Sequence, residues 1–301
     1  MIYAEIPLTS AVRRAVEEGW GVAGDGEARR LHGGEESAAY RLGDHVVRIG
    51  PKWRADEEIE WCHAVAGHAA RFLPQAVAPL SRRDGASVVR VEGRPVSLWP
   101  FVHGRWPRED EQHLRAARLL ARLHRALSTA EPGPRPVRAF AEYGLYGAED
   151  AAAEGAPANP VELADPALDR WLAEFHRSHP TRHPLHGDYY AGNTLVHDDA
   201  ITAVLDWDES FVGAPEFELA AAATEWGDDE LRLVRRFVDA YMAEGGTAGE
   251  LDDEALAQLI RHKLRREAAY FHWSVDRGVV HDQEDVDYHR DRVGLFHRLR
   301  P

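Results

Sequence analysis

The chain has 301 residues, 44% hydrophobic and 29% charged, which suits a globular protein with a full core and excludes an intrinsically disordered one. No run of about 18 apolar residues is present to span a bilayer, the first residues lack the basic-then-apolar pattern of a secretory signal, and a single cysteine, Cys62, excludes an internal disulfide framework and fits a reducing, cytoplasmic setting. The formal net charge of −15 works against non-specific binding to nucleic acid and is compatible with a cationic small molecule as partner.

In chain order, Thr9 and Ser10 cap a first helix that runs to about Glu18 and ends near Gly19 and Gly21. Residues 28–31, 38–42 and 45–49 read as three antiparallel strands, the first two joined by a turn containing Gly33 and Gly34. Residues 56–72 form a helix, because Trp61, Cys62, Val65, Ala66 and Ala69 make an apolar stripe at helical spacing. Strands over 87–91 and 95–102 follow, then a helix over 111–127 with Leu114, Leu119, Leu120 and Leu123 on its core face. Pro132, Gly133, Pro134 and Pro136 open an irregular segment to about Pro160, expected to be the most mobile part of the chain. Asp165-Pro166 starts a helix to about His176. Beyond the central stretch described next, four helices are expected at about 215–226, 230–244, 253–275 and 283–298.

The most informative stretch is 185–210. It carries His186-Gly187-Asp188, then Asn193, then Asp206 within Leu205-Asp206-Trp207. Apolar runs over 194–196 and 201–205, separated by His197-Asp198-Asp199-Ala200, read as a β-hairpin that would bring Asp188 and Asn193 close to Asp206. One carboxylate to orient a hydroxyl and take its proton, with further oxygens to ligate magnesium, is the set that phosphoryl transfer needs. No zinc motif organises the 17 histidines, and no GxxxxGK[ST] phosphate loop is present.

His186-Gly187-Asp188 with Asn193 and Leu205-Asp206-Trp207 resembles the catalytic core of the aminoglycoside phosphotransferase and choline kinase-like family. The resemblance covers about residues 29–220. It implies an α+β, bilobal protein-kinase-like fold, with a small antiparallel-sheet N-lobe (1–103) and a larger, mainly helical C-lobe (104–301). It implies Asp188 as the catalytic base, His186 and Glu218 as supports of the catalytic loop, and Asn193 and Asp206 as metal ligands. On the nucleotide side it implies Gly33, Gly34 and Ser37 over the phosphates, and Arg48 where the family carries a phosphate-binding lysine. Glu58 would pair with that cation, with Glu57 and Glu60 as rivals, and Trp99, Phe101 and Val102 would form the adenine hinge. Pro100 has no N–H, so a neighbour such as Val102 would be the hinge donor. His124, in a phrase typical of the family, is expected to be structural. Arginine at position 48 departs from the pattern: it keeps the charge but changes the geometry.

The implied activity is ATP- and Mg2+-dependent phosphorylation of a small-molecule hydroxyl, with GTP as the alternative nucleotide. An aminoglycoside or related antibiotic is the first expectation, which would make the protein an antibiotic-resistance enzyme. Homoserine, choline or a sugar is the alternative acceptor, and a catalytically silent nucleotide-binding pseudokinase the alternative class. Asp208, Glu209, Glu225, Trp226, Asp228, Asp229, Glu267, Tyr270, Trp273 and Asp276 form an acidic and aromatic set suited to a cationic acceptor. No nucleic-acid or membrane partner is expected, and the chain is expected to be a monomer or homodimer.

Overall fold

The computed structural model describes residues 5–24, 26–31, 37–145 and 157–300. The glycines expected over the phosphates, Gly33 and Gly34, and residues 146–156 of the expected mobile segment lie outside the described residues.

Helix α1 (Ser10–Trp20) starts where the Thr9 side chain accepts from the Val12 N–H, a cap that contributes about 1 kcal/mol. It stops at Gly21, which takes the left-handed conformation (φ 74°) and returns its N–H to Glu17 O. Strands β1 (Ala28–Arg30), β2 (Ala38–Leu42), β3 (His45–Ile49), β4 (Val88–Val91) and β5 (Arg94–Pro100) form one antiparallel sheet in the order β1-β2-β3-β5-β4. The two-residue period of β3 decides which residues meet which core. Val47 and Ile49 are buried in a small cluster with Val12, Val16 and Leu98, whereas Val46 packs against the core of the second lobe. Arg48, in phase with Val46, is thereby turned toward the inter-lobe cleft.

Helix α2 (Asp56–Ala70) buries Trp61, Cys62, Val65, Ala66 and Ala69, the stripe visible in the sequence. Helices α3 (Glu109–Leu127), α4 (Pro166–Ser178), α5 (Pro215–Trp226), α6 (Leu231–Ala243), α7 (Asp253–Asp276) and α8 (Gln283–Arg298) build the larger lobe. Leu119, Leu120, Leu123, Trp226, Phe237, Leu259 and Phe296 belong to its single large core. The fold is the bilobal, kinase-like α+β arrangement. No helix among the described residues is long and apolar enough to cross a membrane.

Two short ribbons position the central stretch. Strands β7 (Thr194–His197) and β8 (Ala200–Val204) form the expected hairpin, and Asp198 and Asp199 (φ 46° and 57°) supply the two positive-φ residues of its tight turn. A second ribbon, absent from the sequence-based expectation, pairs β6 (His183–Leu185) with β9 (Phe211–Gly213). It closes the base of the loop that carries His186 to Asp188 on one side and Asp206 to Ser210 on the other.

Candidate active site

The loop after β6 is held from behind. Glu218, 2% exposed on α5, accepts from the N–H groups of His186 (3.1 Å) and Gly187 (2.5 Å) and from His124 Nε2 (2.8 Å). Tyr241 Oη accepts from the Thr247 and Ala248 N–H groups (3.0 and 3.1 Å), so its own proton is donated to His124 Nδ1 at 2.7 Å. His124 thus accepts through Nδ1 and donates through Nε2. Burial would raise the Glu218 carboxyl, but the bond from His124 and the charge-stabilising neighbours hold it below the usual carboxylate range. Gly187 itself has φ +88°, and a Cβ there would meet Glu209 O at 2.0 Å, so only glycine fits.

His186 is fully buried, and burial pushes its imidazole below its ordinary value. Nε2 bonds Leu205 O at 2.8 Å and Nδ1 takes the Asp188 N–H at 3.3 Å, which ties the two strands of the site together. Asn193 donates through Nδ2 to both Asp188 O (2.9 Å) and Asp188 Oδ2 (2.8 Å). That orientation leaves Asn193 Oδ1 as an acceptor available to a hard cation. Asp206, in the left-handed region at φ 58°, is 42% exposed at its side chain and offers its second carboxylate oxygen to the same space. Among the described residues no group of three or more His, Cys, Asp or Glu could hold a metal alone. Two protein oxygens completed by phosphate and water are nevertheless a sufficient set for Mg2+.

Asp188 opens to the cleft, yet the surrounding walls and the neighbouring acids still act on it. Burial first, then Asp206 and Glu209, raise its carboxyl to about 7, with Lys263 opposing them. A cationic ligand entering beside it would reverse part of that shift.

The cation network differs from the expected pairing. Arg48 donates to Asp206 Oδ1 (2.9 Å) and Asp208 Oδ2 (2.7 Å), not to Glu58. Glu58, 4% exposed, is held by Arg54 Nε (3.1 Å), four residues earlier, and by Arg135 Nη2 (2.8 Å). Arg54 also reaches Asp208 Oδ2 (2.7 Å), Asp208 O (2.6 Å) and Glu209 (3.1 Å). The reason is reach and number: a guanidinium at 48 is long enough to meet the carboxylates across the cleft, and two nearer arginines satisfy Glu58 first. Asp208 is half-buried, and desolvation would raise its carboxyl, but Arg48 and Arg54 hold it down at about 2.

The other expected residues are distributed unevenly. Ser37 lines the cleft with Arg48 and Asp188. At the hinge, the Trp99 ring turns into the larger core with Nε1 on Ser97 Oγ (2.8 Å), and the Phe101 N–H is committed to Asp44 O (2.8 Å). The Val102 N–H, the expected hinge donor, bonds no group among the described residues. Asp208, Glu209, Glu225, Glu267 and Tyr270 line a cavity of about 410 Å3 together with Asp188. Trp226 does not: it is 1% exposed in the core. Trp273 stands at the rim, edge-on to Trp53 from the small lobe at 5.7 Å. Glu225 and Glu267 are also not bare acids, because Lys263 and Arg292 bridge both. Sequence reasoning missed Arg54, Arg135 and Lys263; the i,i+4 spacings Arg54–Glu58 and Lys263–Glu267 were the available signal.

A five-stranded sheet over a mainly helical lobe, with an aspartate and an asparagine on one loop facing a second aspartate across a hairpin, defines a kinase-like phosphotransferase fold. The profile described as "Phosphotransferase enzyme family" matches residues 27–259, and the chain belongs to that family. A homoserine kinase of Granulibacter bethesdensis is 27% identical over 208 residues, covering 66% of this chain and 64% of the relative, so the chain spans somewhat less than two thirds of that protein's length. A microcompartment-associated aminopropanol kinase superposes with a TM-score of 0.68 at 18% identity, covering 94% of each chain. A choline/ethanolamine kinase family protein from Mesorhizobium loti gives 0.64 at 17% identity, covering 97% of this chain and 95% of that one. At these identities the superpositions speak to the fold.

Proposed function

We propose that the protein transfers the γ-phosphoryl group of ATP to a hydroxyl of a small metabolite. The observation that carries this is the Asp188–Asn193–Asp206 constellation, in which Asn193 fixes the Asp188 carboxylate at 2.8 Å while leaving its own Oδ1 to a cation. Asp188 orients the acceptor hydroxyl and takes its proton as the acceptor oxygen bonds phosphorus and the bond to the β-phosphate oxygen breaks. Arg48 supplies positive charge beside the phosphates. Mg2+ suits the Asn193 and Asp206 oxygens, and when bound it neutralises phosphate charge. We take 1–103 as the nucleotide lobe and 104–301 as the catalytic and acceptor lobe, in a cytoplasmic enzyme whose one thiol, Cys62, burial pushes up to about 12.

The small-metabolite reading is preferred to an aminoglycoside because the acids expected to attract a polycation are already compensated. Lys263 bridges Glu225 and Glu267, and Arg292 joins both of them to Asp229. The homoserine kinase named above supports the same preference. The intact Asp188, Asn193 and Asp206 argue against a silent pseudokinase. The test is release of ADP or GDP with Mg2+ across aminoglycosides, homoserine, choline, amino alcohols and sugars, with Asp188→Asn alongside. Asp188-dependent turnover on a metabolite is expected. Turnover confined to aminoglycosides would overturn the acceptor assignment, and turnover that survives Asp188→Asn would overturn the mechanism.

A further inference from the structure

One charge cluster stands at the acceptor end of the cleft. Lys263 Nζ donates to Glu225 Oε1 at 2.6 Å and to Glu267 Oε1, and its side chain is only 11% exposed. Arg292 closes the far side of the same carboxylates and is 5% exposed. Lys263, Glu225 and Glu267 line the cavity that Asp188 opens into.

An ammonium has three N–H donors. Two of those of Lys263 are taken by the carboxylates, and the third meets no acceptor among the described residues. Residue choice points the same way. Lys52 and Lys263 are the only lysines in a chain whose Lys and Arg together number 36. A planar arginine fork would lie bidentate on its carboxylates, whereas a tetrahedral ammonium holds two on one side and presents a donor on the other. The neighbouring cation Arg266 is differently engaged: its guanidinium lies over the Phe140 ring at 4.5 Å and donates to Pro157 O and Asn159 Oδ1.

We propose that Lys263 is a specificity-determining residue whose third N–H binds an oxyanion of the acceptor, so that the acceptor is a small hydroxyl compound that also carries a carboxylate. This rests on the phosphotransferase reading of the cleft and deepens it. Glu225 and Glu267 are already paired with Lys263 and Arg292, so the cluster favours an anionic group of the acceptor over a polycation.

The experiment compares acceptors that differ only by a carboxylate: homoserine with 3-aminopropanol, serine with ethanolamine, and glycerate with ethylene glycol. Binding by calorimetry and turnover by nucleoside diphosphate release are measured for the wild type and for Lys263→Met. The wild type is expected to prefer the carboxylate member of at least one pair by about ten- to hundredfold, as for a charge-assisted hydrogen bond. Lys263→Met is expected to bring that pair within about threefold of each other while leaving the nucleotide KM unchanged. Should Lys263→Met fail to fold, Lys263→Arg keeps the charge and is expected to weaken the preference, because its fork commits to Glu225 and Glu267. Equal treatment of every pair by the wild type, binding of none of the carboxylate members, or an equal loss for both members in the variant would each overturn the proposal. Absence of turnover on every acceptor would count against the phosphotransferase reading instead, and the binding preference would still decide the role of Lys263.

Discussion

Glu218→Gln isolates the support of the catalytic loop from the chemistry in front of it. Glu218 receives three buried donors: Oε2 takes the His186 N–H (3.1 Å) and His124 Nε2 (2.8 Å), and Oε1 takes the Gly187 N–H (2.5 Å). Glutamine has one acceptor oxygen. If it occupies the Oε2 position, the amide NH2 faces the Gly187 N–H, donor against donor; in the other orientation it faces two donors. Stranding one buried N–H costs about 1–3 kcal/mol, and losing charge assistance in the two remaining bonds costs about 1 kcal/mol each. Burying a neutral amide instead of a carboxylate returns part of this. The expected net destabilisation is about 2–4 kcal/mol, read as a lower urea midpoint at unchanged m-value. Because the stranded N–H lies one residue before Asp188, kcat should also fall, about ten- to hundredfold for a displacement near 1 Å, with the nucleotide KM little changed. A variant within about 0.5 kcal/mol of the wild type and with unaltered kcat would refute the idea that these three bonds hold the loop.

Three further outcomes follow from the same geometry. Arg48→Met should raise the nucleotide KM by tenfold or more while sparing the acceptor KM, because Arg48 faces the cleft from β3; steady-state titration of each substrate separates the two. Asp206→Asn should raise the divalent-metal concentration that gives half-maximal rate by about tenfold or more, since it would weaken one of the two proposed protein oxygen ligands; an unchanged metal titration would remove Asp206 from the proposed metal site. Asp165 caps α4 through the Ala167 and Leu168 N–H groups and is paired with Arg261 at 2.6 Å; burial would raise its carboxyl, but these partners lower it from 3.8 to about 2. A depressed carboxylate contributes stability that is present above its unfolded pKa and lost as pH falls through the folded one, so about 2 kcal/mol should disappear between about pH 4 and pH 2. Asp165→Asn should flatten that limb of the urea-stability profile, and an identical acid limb in both proteins would refute the assignment.

What could be read from the sequence was whatever chain proximity fixes. Asp188, Asn193 and Asp206 lie within one short stretch, and a hairpin with a two-residue polar turn leaves little choice about where its ends go. The long amphipathic helices were legible for the related reason that their stripes are periodic. Strands β6 and β9 were not, because three-residue strands such as His183–Leu185 carry too little alternation to register. Nor were the ion pairs. Arg135 comes from an irregular proline-rich segment and reaches Glu58 across 77 positions of sequence, and Arg292 reaches Glu225 across 67. Sequence showed the acids Glu225 and Glu267 but not the cations Lys263 and Arg292 that pair with them.

The rewired arginines change what couples to what. Where one cation bridges strand β3 and helix α2, the position of the helix reports directly on the phosphate-binding residue. Here Arg48 is bonded to Asp206 and Asp208, so β3 is tied to the loop that carries the metal-ligand candidate. Helix α2 is tied to that loop separately, through Arg54 and Arg135, both of which bond Glu58 and the Asp208 carbonyl. Asp208 is thus the shared node, and its depressed carboxyl is the consequence of two guanidiniums converging on one carboxylate. A change at the Asp208 carboxylate should therefore loosen both ties at once, leaving β3 held by Arg48–Asp206 and α2 by the bonds of Arg54 and Arg135 to the Asp208 carbonyl. Lysine at 48 would shorten the reach and supply one charge centre in place of a fork. Arginine at that position and an aspartate two residues after Asp206 consequently form a matched pair in this chain.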